Sequence, residues 1–148
     1  MNDHDLTQDV ADALIRIKKR AISKEKISVP HSGRVEVPLI DHKEQEKFQL
    51  DVRRARIELQ KGTNQMRTRK TIILVRLDFG GAPHRNPNGA EIPCPHIHLY
   101  KEGFGDKWAF PLPEGRFLNI NDFRKTLEDF LKYCNVTGNP FSVQENFW

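Results

Sequence analysis

The sequence has little cysteine and no long hydrophobic run, and both shortages exclude whole classes of protein. Its two cysteines, Cys94 and Cys134, are too few for a disulfide scaffold or a cysteine-rich metal site. The longest uninterrupted apolar stretch, Ile72–Val75, is far shorter than the roughly 20 residues of a membrane-spanning helix. The N-terminus is acidic and lacks the apolar segment of a secretory signal. We therefore expect a cytoplasmic protein with free thiols and no membrane partner.

The length and the apolar content fit one folded domain. The chain has 148 residues, of which 37% are hydrophobic and 30% charged, and a chain of this size can bury a core without disulfides. We predict a single domain over 1–148. It comprises an N-terminal helix and linker over 1–33, an antiparallel sheet over 34–112, a C-terminal helix over 119–136 and a tail over 137–148.

Hydrophobic periodicity predicts an α+β fold. Apolar residues recur at helical spacing from about Thr7 to Ile22 and again from Asp122 to Cys134. They alternate with polar residues in 35–39, 48–59 and 71–79, which is typical of strands. We expect four to five mostly antiparallel strands, with the N-terminal and C-terminal helices on one face of the sheet and the other face free for a ligand.

Local signals refine this strand prediction. Pro38 indicates an edge strand, because proline cannot donate to a strand ladder. The alternation changes parity after Val52, which indicates a bulge near Arg53 or Arg54. The polar segment 61–69 is predicted to be a connection, and the glycines and prolines of 80–95 predict a long loop without regular structure.

Positive charge is concentrated in one segment of a chain that is otherwise near neutral. The formal net charge is +4, but the segment 53–70 holds seven basic residues and one acidic residue, so it carries +6 and the rest of the chain −2. The basic residues are Arg53, Arg54, Arg56, Lys61, Arg67, Arg69 and Lys70. Such a band is typical of a protein that binds a polyanion, although a solvated surface can have the same composition. Together with Arg85, these residues are predicted to hold the backbone of RNA.

Two histidines and a tyrosine share one face of a predicted strand. In the segment 95–100, alternation places His96, His98 and Tyr100 on one side and the apolar residues on the other. The two imidazoles are roughly 6.6 Å apart along the strand, so an acid and a base could stand on either side of one phosphodiester.

Other polar side chains are expected to join this histidine pair. Arg76 and Asp78 share the same face if the preceding strand pairs with 95–100. His84 can fold back over its edge from the following loop, and Arg54 and Arg56 can reach it from the next strand.

This set suits RNA cleavage without a metal or another cofactor. A neutral histidine can take the proton of a ribose 2′-OH, and a protonated histidine or a tyrosine can protonate the leaving 5′-oxygen. A planar guanidinium can stabilise the phosphorane. The predicted catalytic residues are His96, His98, His84, Arg76 and Tyr100, with Arg54 beside Arg76 at the phosphorane.

The same residues allow three other interpretations. The histidines can be structural partners of Asp78 and of backbone groups. With His84 they can instead form a three-histidine metal site, since imidazole is a common ligand of transition metals. Finally, the polar face can bind nucleic acid without cutting it, with Tyr100, Phe104 and Trp108 stacking on bases.

Two resemblances follow from these motifs. The run from Pro95-His96-Ile97-His98-Leu99-Tyr100 to Gly105-Asp106-Lys107-Trp108-Ala109-Phe110-Pro111 resembles the signature of a family of small bacterial proteins of unknown function, often found on mobile elements. This resemblance extends from about Val37 to Asn135 and implies no activity.

Arg76, followed by Gly81-Ala82-Pro83-His84-Arg85 and Pro95-His96-Ile97-His98, is similar to the TumE-type toxins of toxin–antitoxin pairs. That family carries paired histidines where this sequence has Arg85 and Ile97. The similarity implies a toxin-like protein that acts on RNA and has a cognate antitoxin. We therefore predict a metal-independent endoribonuclease of a toxin–antitoxin or phage-defence system. The alternative is a non-enzymatic inhibitor or regulator from a mobile element that binds nucleic acid or a nucleoprotein, and a histidine-ligated metal-dependent hydrolase is the third hypothesis.

Overall fold

The computed structural model describes residues 5–29, 32–55 and 60–142. The helices are α1 (Gln8–Arg16) and α2 (Phe123–Tyr133). The strands are β1 (Lys19–Ala21), β2 (Gly33–Asp41), β3 (Lys47–Arg54), β4 (Gly62–Thr68), β5 (Ile72–Phe79), β6 (His84–Arg85), β7 (Glu91–Ile92), β8 (His96–Leu99) and β9 (Ala109–Phe110). Within these residues, seven strands form an antiparallel sheet in the order β1-β2-β3-β4-β5-β8-β9, and β6 pairs with β7 alone. The predicted α+β class is confirmed, but the prediction of four to five strands is wrong.

The strand register gives the sheet one apolar face. Val37 lies opposite Leu50, which lies opposite Met66, and Met66 in turn lies opposite Val75. Directly opposed residues project from the same side of a sheet, so these side chains form one continuous apolar row. All four are buried, and Leu99 continues the row on β8.

Both helices pack against this apolar face. Helix α1 begins at Thr7, whose hydroxyl accepts a hydrogen bond from the Val10 amide, and it buries Leu14. Helix α2 begins in the same way at Asp122 and buries Phe130. The buried side chains of both helices belong to the same hydrophobic cluster as those of the strands. Neither helix covers the polar face of the sheet.

The predicted first helix is too long. Helix α1 ends at Arg16, and Lys19–Ala21 form strand β1 against β2. The basic run Lys18-Lys19-Arg20 is typical of a helix C-terminus, but the Lys19 ammonium group donates to the carbonyl oxygens of Ile15 and Ile17 from outside the helix. Tertiary contacts therefore override the helical pattern at this end.

The predicted connection 61–69 is also wrong, because it contains the central strand β4. Asn64 and Thr68 take positions on the apolar face between β3 and β5, and both are buried. Polar residues at these positions remove the alternation by which a strand is recognised in sequence.

Strand β2 is not an edge strand, since it pairs with both β1 and β3. On β2, the ladder with β1 covers Leu39–Asp41, so Pro38 lies just beyond that ladder and need not donate to it. The bulge lies between Met66 and Arg67 rather than near Arg53, and β3 keeps a regular register to its end. The predicted strand positions Ile57 and Leu59 lie outside the described residues.

The segment 80–95 contains some regular structure after all. His84 pairs with Ile92 and Arg85 with Glu91, which forms a short hairpin between β5 and β8. No helix in the described part of the chain is long and apolar enough to cross a membrane.

Candidate functional site

The polar face of the sheet carries two rows of paired side chains. One row comprises Asp51, Gln65, Arg76 and His98, and the other comprises Arg53, Thr63, Asp78 and His96. Each row crosses β3, β4, β5 and β8, so the rigid strand ladder fixes the spacing of its members.

A cavity of about 710 Å³ lies over β3, β4 and β5 on this face. Its basic lining residues are Arg34, Arg53, Lys61, Arg67, Lys70 and Arg76, and its acidic ones are Asp51 and Asp78. The lining therefore has an excess of four positive charges, and the concave surface strengthens the field at its floor.

Both carboxylates of the cavity are already neutralised by arginines. Asp51 accepts from the Nε and Nη2 atoms of Arg67 at 2.6 and 3.1 Å, and from Gln65 at 2.7 Å. Burial alone would raise the pKa of Asp51, but the hydrogen bonds from Arg67 and Gln65 outweigh it and lower that pKa. Asp78 is paired with Arg76, whose Nε lies 3.2 Å from its Oδ2.

Three cations of the cavity have no acidic partner among the described residues, namely Arg53, Lys61 and Lys70. Arg34 forms an exposed ion pair with Glu36 at the rim. Since the other two arginines are paired with the cavity's own carboxylates, these three side chains are the ones that can neutralise an incoming anion.

A cluster of three imidazoles adjoins one end of the cavity. The ring centroids of His96 and His98 are 4.9 Å apart, and the His84 ring from β6 lies 4.6 Å from that of His98. The Oδ2 atom of Asp78 lies 3.3 Å from His96 Nε2 and 3.2 Å from His98 Nε2. The sequence prediction that His84, His96, His98, Arg76 and Asp78 lie together is therefore what the structure shows.

Backbone carbonyls fix the tautomers of the two strand histidines. His98 Nδ1 lies 2.8 Å from the carbonyl oxygen of Asp106, and His96 Nδ1 lies 3.3 Å from that of Pro93. A carbonyl oxygen only accepts, so both Nδ1 atoms carry the proton, and in the neutral rings both Nε2 atoms present a lone pair. Arg76 donates to the His98 lone pair from Nη2 at 3.0 Å and to the Asp106 carboxylate from Nη1 at 2.9 Å.

The charges in this cluster shift two pKa values. Burial would raise the pKa of Asp78, but the contact with His98, the charge of Arg76 and the hydrogen bond from Thr63 hold it far below its usual range. Burial and the neighbouring His98 lower the pKa of His96. The cluster thus favours an ionised aspartate beside a neutral His96.

Access to the cluster from solvent is uneven. The side chains of His96 and His98 are 3% and 0% exposed, whereas those of Asp78 and Arg76 are 22% and 27% exposed and line the cavity. His84 is half-buried, and its Nε2 lies 2.7 Å from the carbonyl oxygen of Lys107. A ligand in the cavity therefore meets Arg76 and Asp78 before it meets either strand histidine.

Tyr100 is not part of this site, which corrects its predicted catalytic role. Strand β8 ends at Leu99, so the alternation stops there and Tyr100 turns to the other side. Its hydroxyl donates to the Leu6 carbonyl at 2.9 Å and accepts from the Leu6 amide at 2.8 Å. Tyr100 is buried in the hydrophobic cluster and ties the N-terminal segment to the sheet.

Arg54 is also absent from the polar face. It pairs with Gly62 on the apolar side, and its guanidinium lies 3.5 Å from the ring centroid of Phe123 in α2. Burial lowers the pKa of Arg54 to about 10, while Asp122 partly opposes that shift. A role in holding the phosphorane is incompatible with this position.

The other predicted RNA-binding residues divide between the cavity and its surroundings. Arg53, Lys61, Arg67 and Lys70 line the cavity. Arg69 is paired with Glu46, and Arg85 with Glu91 on the hairpin, so neither belongs to the lining. Arg56 lies outside the described residues.

Sequence reasoning missed several contributors to the site. Arg34, Asp51, Thr63 and Gln65 line the cavity, but two of them lie on β4, which has no strand pattern in the sequence. Asp106 lies in a turn far along the chain, and in the sequence it is part of the Gly105-Asp106-Lys107 motif without any indication that it contacts Arg76. Phe104 and Trp108, predicted to stack on bases, form an edge-to-face pair with centroids 5.8 Å apart and do not line the cavity.

Comparison with known proteins places the chain in a family. Residues 6–136 match the family of unknown function DUF6978. The chain belongs to this family. The matched residues include both helices, the cavity and the histidine cluster, so the whole candidate site lies within the DUF6978 region. No curated protein and no solved structure gives a significant match to the chain.

Proposed function

We propose that the protein binds RNA on the polar face of its sheet. The observation that carries this proposal is the cavity, which has six basic side chains and two carboxylates that are both paired with arginine. Phosphate groups of RNA would neutralise the excess positive charge of the cavity, mainly beside Arg53, Lys61 and Lys70.

The burial of the histidines favours binding over cleavage as the main activity. The nitrogens of His96 and His98 contact Asp78, Arg76 and backbone carbonyls, and neither ring lines the cavity. A phosphodiester on the sheet can therefore be held by cations without touching these rings. This corresponds to a nucleic-acid-binding regulator or inhibitor. A toxin role with an antitoxin partner stays a prediction from the sequence resemblance.

Salt-dependent binding of two matched double variants tests this function. Lys61→Ala with Lys70→Ala removes two cavity cations, whereas Lys24→Ala with Lys43→Ala removes two exposed lysines that do not line the cavity. Both changes lower the net charge equally. Binding to a labelled single-stranded RNA is measured by fluorescence anisotropy between about 50 and 200 mM salt. Over this range, an affinity that depends on phosphate contacts falls steeply.

The cavity variant should bind more weakly, and its slope of log K against log salt should be about 1.4 smaller, because roughly 0.7 is lost per phosphate contact on a single strand. The control variant should keep the wild-type slope. Equal slopes for both variants, or no binding by the wild type at the lowest salt, would show that the cavity is not the RNA site. A single-stranded DNA of the same sequence tests whether the 2′-OH contributes.

RNA cleavage is a second candidate, favoured by the arrangement at the end of the cavity. His84 Nε2 lies against a carbonyl oxygen and so carries the ring proton, which leaves the Nδ1 lone pair as a general base. Arg76 lines the cavity and has the guanidinium geometry that stabilises a phosphorane. In this mechanism His84 takes the 2′-OH proton and the 2′-oxygen attacks phosphorus to form a 2′,3′-cyclic phosphate. The P–O5′ bond breaks, and the leaving 5′-oxygen takes a proton from solvent water.

His84→Ala is the matching test. It should lower the rate of cleavage of a labelled RNA by roughly 10²–10⁴-fold in the presence of a chelator, while RNA affinity should stay close to that of the wild type because the variant keeps the cavity cations that hold the phosphates. Cleavage at the same rate by both proteins would assign it to a contaminant. No cleavage by the wild type would leave RNA binding as the function.

A further inference from the structure

Three potential metal ligands meet at the buried end of the site. One carboxylate oxygen of Asp78 and one ring nitrogen each of His96 and His98 all lie within 4.8 Å of one another. Asp78 and His96 are directly opposed on β5 and β8, and His98 follows two residues later on the same face. The three side chains therefore project from paired strands whose spacing is fixed by the ladder.

The distances from the Asp78 carboxylate to the two imidazoles suit a small divalent cation. Asp78 Oδ2 is 3.3 Å from His96 Nε2 and 3.2 Å from His98 Nε2. Zn²⁺ binds imidazole nitrogen and carboxylate oxygen at about 2.0–2.2 Å, so adjacent ligands in a tetrahedron are roughly 3.3–3.6 Å apart. The two distances from the carboxylate are close to this value without rearrangement of the strands.

The outer contacts of the histidines have the pattern of metal-binding imidazoles. Each ring directs Nδ1 at a backbone carbonyl, that of Pro93 for His96 and that of Asp106 for His98. Metal-binding histidines commonly donate their second ring N–H in this way, which orients the Nε2 lone pair towards the ion. Both rings are almost fully buried, so the lone pairs face each other and a carboxylate rather than water.

A cation already lies next to these three ligands. Arg76 approaches Asp78 Oδ2 with Nε at 3.2 Å and His98 Nε2 with Nη2 at 3.0 Å. Two lone pairs and a carboxylate oxygen in a buried position need positive charge nearby. The Asp106 carboxylate lies 2.9 Å from Nη1 of Arg76. It can hold the guanidinium when a metal ion takes its place at the three ligands.

We infer that Asp78, His96 and His98 form a binding site for a divalent transition metal ion, for which Arg76 competes as a built-in cation. Two imidazoles and one carboxylate favour ions of the Zn²⁺, Co²⁺ and Fe²⁺ type over Mg²⁺ or Ca²⁺, which prefer oxygen ligands alone. This inference goes beyond the proposed RNA binding and does not depend on it, because its readout needs the protein and the metal alone.

Metal titration of the untagged full chain tests the site. Zn²⁺ affinity is measured by competition with a chromophoric chelator, and Co²⁺ is added separately because its visible absorption reports nitrogen and oxygen ligands in a tetrahedral site. The wild type should bind one ion. Asp78→Asn and His98→Gln should weaken Zn²⁺ binding by more than the roughly 10–100-fold that loss of an outer contact costs.

Arg76→Gln gives the opposite and more specific result. Without the competing guanidinium, Zn²⁺ should bind about tenfold more tightly, since a nearby positive charge repels the ion in this partly buried position. This gain cannot come from misfolding. His42→Ala, which removes an exposed histidine from the turn after β2, is the control and should keep the wild-type affinity. Failure of the wild type to bind, or equal binding by the wild type and His98→Gln, would overturn the inference.

Discussion

Lys19 is a fully buried lysine whose ammonium group joins the ends of both helices. Its Nζ atom donates to the carbonyl oxygens of Ile15 and Ile17 at the end of α1, at 2.8 and 2.9 Å, and to that of Cys134 at the end of α2, at 2.7 Å. The ring of Phe48 lies 4.8 Å away. Burial lowers the pKa of Lys19 to about 8, although the neighbouring Cys134 partly opposes this shift.

This shift predicts that stability rises with pH through Lys19. The unfolded lysine has a pKa of about 10.4, so between about pH 8 and 10.4 the unfolded state binds more protons than the folded one. The free energy of unfolding of the wild type, measured relative to Lys19→Met, should therefore increase by about 1 kcal/mol from pH 7 to pH 9. Urea denaturation at both pH values measures this difference.

Both proteins must be compared at each pH because Cys134 has the opposite effect. Burial raises the pKa of its thiol to about 12, so its contribution to stability is lost only as the pH rises above about 8.5–9, where the unfolded thiol begins to ionise. That loss occurs in wild type and variant alike and cancels in the comparison. A difference that stays constant between pH 7 and 9 would mean that Lys19 keeps its ordinary pKa.

The neighbouring residues Arg53 and Arg54 show how far sequence patterns specify single residues. The charge cluster was visible in the sequence, and Arg53 does line the cavity. The parity of β3 could not be read, because the alternation changes after Val52. The structure continues β3 regularly to Arg54, which therefore faces Phe123 on the apolar side. Composition thus predicted the kind of surface, and the strand register decided which arginine belongs to it.

At the scale of elements, the hairpin of β6 and β7 is held to the sheet by Asn86. This residue is 6% exposed. Its side chain accepts from the Ala109 amide at 2.8 Å and donates to the Ala109 carbonyl at 3.0 Å, as a neighbouring strand would. It thereby covers the edge strand β9 and holds the hairpin, with His84, beside the histidine cluster.

Asn86→Ala should therefore destabilise the protein by about 2 kcal/mol or more. The change leaves both the N–H and the C=O of Ala109 without their partner in a buried position, and each such group costs about 1–3 kcal/mol. Urea denaturation measures the loss. Asn88→Ala is the control, because Asn88 is exposed and accepts a local hydrogen bond from the Ala90 amide within the turn, so its loss should stay within about 0.5 kcal/mol. Similar losses for both variants would mean that Asn86 does not hold the hairpin.

The elements that were predicted correctly share a strong pattern. Strand β5 combines alternation with β-branched residues, and α2 has a regular apolar stripe. Strand β4 was missed because Asn64 and Thr68 occupy its apolar face. Sequence periodicity reports the contrast between two faces of an element, so it fails where the buried face is polar.

At the scale of the molecule, one face of the sheet packs against the helices and the other carries the cavity and the histidine cluster. The α+β class and the common face of Arg76, His96 and His98 followed from alternation alone. The burial of the rings did not, because it comes from the hairpin at His84 and the turn at Asp106, which lie against the cluster through contacts between distant parts of the chain. The sequence therefore predicted which residues meet, whereas their access to a ligand required the structure.

Contacts between distant segments also tie both helices to the sheet. The Tyr100 hydroxyl bonds to both backbone groups of Leu6 before α1. After α2, the carbonyl of Asn135 accepts from the Lys19 amide at 2.9 Å, and the Thr137 amide donates to the Lys19 carbonyl at 2.8 Å. Losing either helix would expose the apolar face of the sheet to water.

We therefore expect the protein to unfold in a single cooperative step. Far-UV circular dichroism follows the helices and strands. Tryptophan fluorescence follows the environment of the tryptophans, among them Trp108 in its turn. The two signals should give the same urea midpoint. Tyr100→Phe removes the link to Leu6 and should lower the free energy of unfolding by about 1–2 kcal/mol. The urea midpoint should then fall equally for both signals. Helical signal that disappears at lower urea than the fluorescence change would show that α1 is only loosely docked, since an element with few tertiary ties opens independently of the rest.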